Sequence, residues 1–289
     1  MRYVYVTLLA LAVCGCQSSR KKNYDYCYAT GHGLYVGNYG HDPVHVYVNG
    51  TDACLSPDGT QIAYTDMGAP DHVRRIGIFD LEAGKVTLMD TACHNCYGPV
   101  WSPDGDYIAY NAMFGYQWGI KCVDKDNLHS WKVAEDKDGL GGIFSPTWSA
   151  DSRKIAAENS AEVFIYDLDG NVLHSIPFEQ IDKAIFGANT FNLTGKEDKL
   201  VFWGTIGADS TPSYNAPAAV FVYDLATSTT NRISPKGYDC WRPVIKGDTI
   251  FCRGRHGNSL KENTYRMDMD GGHFKLAYKD KIDISFAQR

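Results

Sequence analysis

Residues 101–110 read WSPDGDYIAY, and this phrase decides the fold because the chain repeats it. Close copies are LSPDGTQIAY at 55–64 and WSADSRKIAA at 148–157, and weaker copies stand at 193–202 and 243–252. One apolar anchor recurs at intervals of 46, 47, 45 and 50 residues, at Ile62, Ile108, Ile155, Leu200 and Ile250. A period in the forties built from short β-type segments is typical of a β-propeller.

A single repeat can be read as one blade of the propeller. The Ser-Pro-Asp-Gly segment predicts a tight turn, because Pro fixes φ, Asp bonds back to the backbone and Gly takes the left-handed conformation. A short strand precedes this turn and a second strand follows it. Interleaved phrases such as YDLDG at 166–170 predict a further hairpin between the third and fourth strands. Because a lone four-stranded blade cannot bury both faces, the blades must stack in a ring.

The number of inner strands gives the number of blades. Five are predicted at 52–56, 99–102, 146–149, 189–194 and 241–245. The tail, 282–287, looks like a sixth inner strand, and the head, 26–48, holds three strand-like segments with no inner strand before them. Joining tail to head completes one more blade and removes two exposed sheet edges. The sequence therefore predicts an all-β, six-bladed propeller of four-stranded antiparallel blades, with seven blades as the alternative.

The SPDG and IAY phrases resemble the WD40-like PD40 repeat of the six-bladed propellers of the TolB family. The resemblance covers nearly all of 24–289, and the first three copies carry most of it. It implies an architecture, whereas the family includes envelope scaffolds, domains attached to peptidases, and sugar lyases. TolB also has an additional N-terminal domain. We expect this chain to have no room for that domain, so its translocation role is not transferred.

Composition excludes several classes of protein. The 289 residues are 44% hydrophobic and 21% charged, which is globular rather than disordered composition. The formal net charge of −6 gives no basic surface for nucleic acid. No apolar run approaches the roughly 18 residues of a membrane-spanning helix.

The N-terminus predicts a signal peptide. Residues 1–16 read MRYVYVTLLALAVCGC, with Arg2 followed by an apolar segment, 4–13, too short to span a bilayer. Residues 13–16, VCGC, resemble a bacterial lipobox, which implies cleavage before Cys16 and a diacylglycerol on that residue; an ordinary secretory signal is the alternative. Gln17 favours the outer membrane by the rule for enteric bacteria. The expected organisation is a lipoprotein signal peptide at 1–15, a tether at 16–23 and the propeller at 24–289.

Ligands of propellers usually bind near the central channel on the face with the longer loops. That face should include 65–75, 111–119, 203–219, 253–263 and the blade links 90–98 and 236–241. Aromatic rings beside Arg and His suit glycan or peptide recognition through stacking and charged hydrogen bonds. The candidate ligand-binding residues are His72, Arg74, His94, Trp118, Trp203, Tyr238, Arg253, Arg255 and His256, with Trp241 in the same segments. The alternative is that these residues pack between blades.

Seven cysteines follow Cys16, and two of them form the Cys-X-X-Cys segment at 93–96. Because no second such pair exists for a zinc site, a local disulfide, or a disulfide from one of these cysteines to another part of the chain, is favoured, in keeping with an envelope location. The sequence contains no GxSxG, HExxH or P-loop pattern. We therefore predict no cofactor, no metal and no named catalytic residue.

Two functions remain open. The first is a non-enzymatic lipoprotein that binds protein or glycan through the loop face. The second is a polysaccharide lyase or glycosidase on the same scaffold. A lyase needs a base and a charge-neutralising group within hydrogen-bond reach of each other. Convergence of His72, His94, His256 and Arg253 or Arg255 in one pocket would favour the enzyme, and dispersal around the rim would favour binding.

Overall fold

The computed structural model describes residues 23–47, 49–67, 73–90, 93, 95–136, 141–181, 190–196, 198–205, 217–257, 259–279 and 284–287. Their strands form six four-stranded sheets, and every pair of neighbouring strands is antiparallel. The prediction of an all-β, six-bladed propeller is confirmed, and the seven-bladed alternative is wrong. Among the described residues, no helix has the length and hydropathy needed to cross a membrane. The predicted signal peptide and Cys16 lie outside the described residues.

The strands follow one another along the chain with a single short helix between them. In order they are β1 (Tyr26–Thr30), β2 (Gly33–Gly37), β3 (Val44–Tyr47), β4 (Gly50–Leu55), β5 (Gln61–Asp66), β6 (Arg75–Asp80), β7 (Lys85–Met89), β8 (Cys96–Trp101), β9 (Tyr107–Phe114), β10 (Gln117–Asp124), β11 (Ser130–Glu135), β12 (Phe144–Trp148), β13 (Lys154–Glu158), β14 (Glu162–Asp167), β15 (Val172–Pro177), α1 (Phe178–Ile181), β16 (Asn192–Leu193), β17 (Lys199–Thr205), β18 (Ala218–Asp224), β19 (Thr229–Arg232), β20 (Tyr238–Lys246), β21 (Thr249–His256), β22 (Asn263–Asp268), β23 (Lys275–Lys279) and β24 (Ser285–Phe286). Blades 1 to 5 are β4–β7, β8–β11, β12–β15, β16–β19 and β20–β23, and blade 6 is β24 with β1–β3.

The repeated phrase forms the turn between the first two strands of a blade. In blade 2, Ser102 Oγ donates to Asp104 Oδ1 at 2.5 Å and accepts from the Tyr107 N–H at 2.9 Å. The same serine–aspartate pair closes the turns of blades 1 and 3. Gly105 has a φ of 79°, the left-handed conformation that glycine adopts without steric cost. Each residue of the phrase thus has a local role, which explains why the phrase recurs.

The inner strands contain a β-bulge at equivalent positions. The register shifts between Thr51 and Cys54 in blade 1, and in the same way in blades 2, 3 and 5. The first bulge residue has a positive φ in each of these strands, at Asp52, Gly98, Ser145 and Arg242. The next residue is Pro in three of them, at Pro99, Pro146 and Pro243. A bulge tolerates Pro because its residues leave the ladder, so the missing N–H costs no hydrogen bond.

Side chains of one blade brace the bulge of the next. The Gly98 N–H donates to Thr65 Oγ1 at 3.0 Å, and the Ser145 N–H donates to Asn111 Oδ1 at 3.0 Å. These bonds satisfy N–H groups that the bulges remove from the sheet ladder. They fix the inner strands relative to one another around the axis of the ring.

The last described residues close the ring. Strand β24 pairs with β1 through Phe286 opposite Tyr26, and the Ala287 N–H donates to the Asp25 carbonyl at 3.0 Å. The Phe286 ring lies 4.3 Å from the ring of Phe251 in blade 5. The predicted pairing of tail and head is confirmed for 284–287, and the first residues of the predicted tail, 282–283, lie outside the described residues.

The core lies between the faces of neighbouring blades. Trp101 and Trp148, the aromatic residues of the repeat phrase, are 7% and 9% exposed. Trp101 packs with residues of blades 1 and 2, and Trp148 donates from Nε1 to the Val100 carbonyl at 3.0 Å. This position of the repeat is therefore a packing position.

Candidate functional site

The predicted site residues that the structure describes lie in or next to strands, because the strands extend further than the sequence suggests. The segment 111–119 was expected to be a loop, yet only Gly115 and Tyr116 separate β9 from β10. Trp118 therefore lies in β10, Trp203 lies in β17, and β21 continues to His256. Each of these three strands is paired with its neighbour up to its last residue at this end, which is why the residues belong to strands and not to loops. Side chains on paired strands are held more rigidly than loop side chains, which suits a preformed site.

Arg74, Tyr97 and Trp118 form one cluster, which we call the Arg74 cluster. The guanidinium carbon of Arg74 lies 4.4 Å from the centre of the Tyr97 ring and 5.3 Å from that of Trp118. The two rings meet edge to face, with centres 5.0 Å apart and an interplanar angle of 85°. All three side chains are half-buried. Stacking of this kind favours a guanidinium through the negative faces of the rings.

A short disulfide loop fixes the position of Arg74. Cys93 and Cys96 form a disulfide, which confirms the predicted local bridge. Inside the loop, Asn95 adopts a φ of 60° and accepts from Arg74 Nε at 2.9 Å. The Cys96 N–H donates to the Arg74 carbonyl at 2.9 Å. Backbone and side chain of Arg74 are therefore both held by the link between blades 1 and 2.

The outer edge of the Arg74 guanidinium, formed by Nη1 and Nη2, can accept a ligand. Among the residues that the structure describes, Nη1 and Nη2 of Arg74 donate no hydrogen bond, and no carboxylate forms an ion pair with this residue. Arg carries five N–H donors in a planar fork, and a half-buried one usually has several partners. This unused fork is the strongest sign of a ligand site in the described part of the chain.

Two carboxylates act on the Tyr97 hydroxyl of the Arg74 cluster. Burial raises the pKa of the Tyr97 hydroxyl, the Arg74 charge opposes this rise, and the carboxylates of Asp52 and Glu158 add to it. The net result is a pKa above the usual value, so Tyr97 keeps its proton at neutral pH. Asp52 is held in place by Thr65 Oγ1, which donates to its Oδ2 at 2.7 Å.

A second cluster in blade 5 also combines arginine with an indole. The guanidinium carbons of Arg253 and Arg255 lie 5.6 and 5.9 Å from the centre of the Trp241 ring. Here carboxylates already take the charges, because Arg253 pairs with Glu262 at 2.6 Å and Arg255 with Asp239 at 2.9 Å. This cluster is therefore better explained as an internally paired network than as an open anion site.

Tyr238 and His256 adjoin that network. Their rings lie 4.7 Å apart, and Tyr238 also packs edge to face against Tyr265 and Phe274, at 5.3 and 4.8 Å. The ring of Tyr238 thus contributes to packing within blade 5. Trp203 is half-buried in blade 4, opposite Val220 in the register of β17 and β18.

The predicted residues fall on separate parts of the ring. Arg74 and Trp118 meet at blade 2, whereas Tyr238, Arg253, Arg255 and His256 belong to blade 5, three blades further on. His72 and His94 lie outside the described residues. Within the described chain, no group of three or more His, Cys, Asp or Glu side chains is close enough to hold a metal ion.

The sequence reasoning missed Tyr97 and Asn95. A signal for Tyr97 does exist, because it directly precedes the bulge of its inner strand. The equivalent residues of blades 1, 3 and 5 are Thr51, Phe144 and Trp241. Aligning the inner strands would therefore have picked out Tyr97, Phe144 and Trp241 as aromatic residues at one shared position of the blade.

No protein-family model matches the chain, and no curated protein matches it. Solved structures do match. TolB from Acinetobacter baumannii is 18% identical with a TM-score of 0.64, over 92% of this chain and 66% of that one. A putative TolB from Agrobacterium tumefaciens is 14% identical with a TM-score of 0.61, over 91% and 93%. The GH74 xyloglucanase from Xanthomonas campestris is 12% identical with a TM-score of 0.59, over 90% and 44%.

These likenesses show the TolB-like propeller fold alone. The chain spans just under two thirds of the Acinetobacter protein and less than half of the xyloglucanase. The resemblance of the repeats to the PD40 repeat family therefore rests on the SPDG and IAY phrases of the sequence alone.

Proposed function

We propose that this protein is a lipoprotein of the bacterial cell envelope whose propeller binds a protein or glycan through its loop face. The observation that carries the binding function is the Arg74 cluster. It presents a guanidinium that lies close to two aromatic rings, is fixed at Nε and is unpaired at its outer edge within the described chain. Because this edge is not buried, its N–H groups can exchange solvent for a charged acceptor on a ligand.

The envelope location is supported by the N-terminal sequence. Residues 13–16 carry the lipobox-like VCGC, and Gln17 favours the outer membrane. The Cys93–Cys96 disulfide fits an oxidising compartment. Full lipoprotein processing attaches more than one acyl chain, and several chains anchor a protein far more firmly than the single chain that binds only marginally.

Binding is better supported than catalysis. Among the candidate site residues that the structure describes, Arg74 contacts blade 2 whereas Arg253, Arg255 and His256 lie in blade 5, where they are already paired with Glu262, Asp239 or a neighbouring ring. A lyase or glycosidase would need a base and an acid converging on one substrate. The likeness to a xyloglucanase concerns the fold and supplies no such pair.

Two measurements test the proposal. Labelling of cells with a radioactive fatty acid should mark the wild-type protein and leave Cys16→Ala unmarked; equal incorporation in both would refute the lipid anchor. The full chain in mild detergent should bind members of a glycan array or a peptide array, and Trp118→Ala should weaken that binding. Absence of binding on both arrays would refute the binding function.

A further inference from the structure

The guanidinium of Arg74 has one edge open to a ligand among the described residues. Its carbon lies 4.4 Å from the centre of the Tyr97 ring and 5.3 Å from that of the Trp118 ring, and its Nε–H donates to Asn95. The remaining edge carries Nη1 and Nη2, which have no hydrogen-bond partner among the described residues. A ligand can therefore meet the guanidinium through this edge.

We infer that this fork binds the C-terminal carboxylate of a peptide or protein whose last residue is apolar. The inference rests on the proposed binding function and names the ligand of the same site. A planar carboxylate accepts two parallel hydrogen bonds from such a fork, which a hydroxyl or an amide oxygen cannot do. Because the side chain is already fixed, little rotamer entropy is lost when the ligand binds.

The surroundings of the fork indicate the apolar side chain. The Met113 sulfur lies 3.7 Å from the Asn95 amide nitrogen, so a thioether borders the cluster. Beside Trp118, the chain passes through Gly142, where a Cβ would stand 2.6 Å from Trp118 Cβ and 3.0 Å from the Phe144 ring. Trp118, Met113 and Phe144 are all half-buried. These side chains offer apolar contacts and few donors or acceptors, which suits an aliphatic or aromatic residue better than a polyhydroxylated sugar.

The charges around the site favour a ligand with one negative charge over a polyanion. Asp52 and Glu158 lie close enough to act on the Tyr97 hydroxyl. The whole chain carries a formal net charge of −6. An acidic polysaccharide would bring further negative charges toward these carboxylates, and like charges in proximity are unfavourable. A peptide brings a single carboxylate at its end and neutral residues behind it.

The test compares free and amidated C-termini. The labelled full chain in mild detergent is applied to an array of hexapeptides of randomised sequence, each printed once as the free acid and once as the amide. We expect the free acids that end in an apolar residue to bind about tenfold more tightly than their amides, as loss of a charge-assisted bidentate contact requires. Arg74→Gln should remove this preference, and Arg74→Lys, which keeps the charge without the fork, should reduce it. The matched control is Arg153→Gln, an exposed arginine on the tight-turn face of blade 3.

Each other outcome overturns the inference in a recognisable way. Equal binding of acids and amides to the wild type would show peptide binding without carboxylate recognition, and the proposed function would stand. Binding of oligogalacturonate that Arg74→Gln abolishes, with no peptide bound, would replace the peptide by an acidic glycan and again leave the proposed function standing. An identical preference in the wild type and in Arg74→Gln would move the site elsewhere. Binding to neither peptides nor glycans would refute both the inference and the proposed function.

Discussion

The guanidinium carbon of Arg74 lies 4.4 Å above the ring of Tyr97, so the residue before β6 of blade 1 touches the inner strand of blade 2. Tyr97 directly precedes the bulge at Gly98, whose backbone is braced by Thr65 of blade 1. The position of the ring is therefore set by the joint between two blades. A propeller can vary the residue at this position without changing the bulge, as Thr51 and Trp241 at the equivalent positions illustrate.

The buried ion pair between blades 1 and 2 should make stability depend on pH. Asp90 pairs with Lys121, their side chains are 6% and 18% exposed, and Tyr110 Oη donates to Asp90 Oδ2 at 2.6 Å. Burial alone would raise the pKa of Asp90, but the bonds from Lys121 and Tyr110 outweigh it and lower that pKa. A carboxyl whose pKa is lower in the folded state stabilises the protein above its unfolded pKa, and this contribution is lost as the pH falls through the folded value.

We therefore expect Asp90→Asn to cost about 3 kcal/mol at pH 7, because it leaves a buried lysine unpaired. The difference from the wild type should begin to shrink below about pH 4, where the carboxyl of the unfolded chain gains its proton, and should disappear only below the lower pKa of the folded state. Urea unfolding at pH 7 and at several values below pH 4 measures this. Asp106→Asn is the matched control, since its pair with Lys125 is 53% and 49% exposed, so solvent screens it and its loss should leave the stability nearly unchanged. Equal costs for the two variants would show that the buried pair has no special role.

Ring closure depends on Phe286. Its side chain is 3% exposed and packs 4.3 Å from Phe251, on the only strand that joins the C-terminal segment to blade 6 among the described residues. Phe286→Ala should lower the free energy of unfolding by about 3–5 kcal/mol, as for a large core truncation. Leu260→Ala, at a position 91% exposed, should change it by less than about 0.5 kcal/mol. A Phe286→Ala protein that melts with the wild type would mean that the ring is stable without its closing strand.

The N-terminal segment docks on the first turn of the repeat. The Tyr24 N–H donates to the Gly59 carbonyl at 2.8 Å, and a Cβ on Gly59 would stand 2.2 Å from the Tyr24 oxygen. Gly84 has a similar positive φ, 63° against 73°, and no described atom within 4 Å of its Cβ position. Gly84→Ala should cost about 1–2 kcal/mol for the left-handed backbone. Gly59→Ala should cost about 1–3 kcal/mol more than Gly84→Ala, because the segment around Tyr24 must move away from the new methyl group. Thermal melts of the pair would show equal losses if the docking contributed nothing.

The sequence predicts the fold well because a propeller repeats local patterns. Turn residues such as Asp104 act within a few positions of themselves, and the pairing of tail and head follows from counting strands. The candidate site is less predictable. Arg74 and Trp118 were each expected at the loop face, but their meeting depends on how two blades pack, and Tyr97 and Asn95 join them only through that packing. The sequence pattern also ended the strands around Trp118, Trp203 and His256 too early. Pairing with a neighbouring strand in the blade extends a strand through residues that have no strong β pattern of their own.

Three tryptophans distinguish a ligand site from blade packing. Trp101 is 7% exposed and lies in the core between blades 1 and 2, so Trp101→Ala should cost about 3–5 kcal/mol. Trp118 is half-buried and contacts Tyr97 and Arg74, contacts that are each worth about 1 kcal/mol. Trp203 is also half-buried, near the end of β17. We expect Trp118→Ala and Trp203→Ala to weaken binding on the peptide or glycan array while the melting temperature falls much less than in Trp101→Ala. If both variants melt at a temperature as low as that of Trp101→Ala, the two indoles are packing residues and are not evidence for a ligand site. If both melt near the wild-type temperature and bind normally, the ligand uses another part of the loop face.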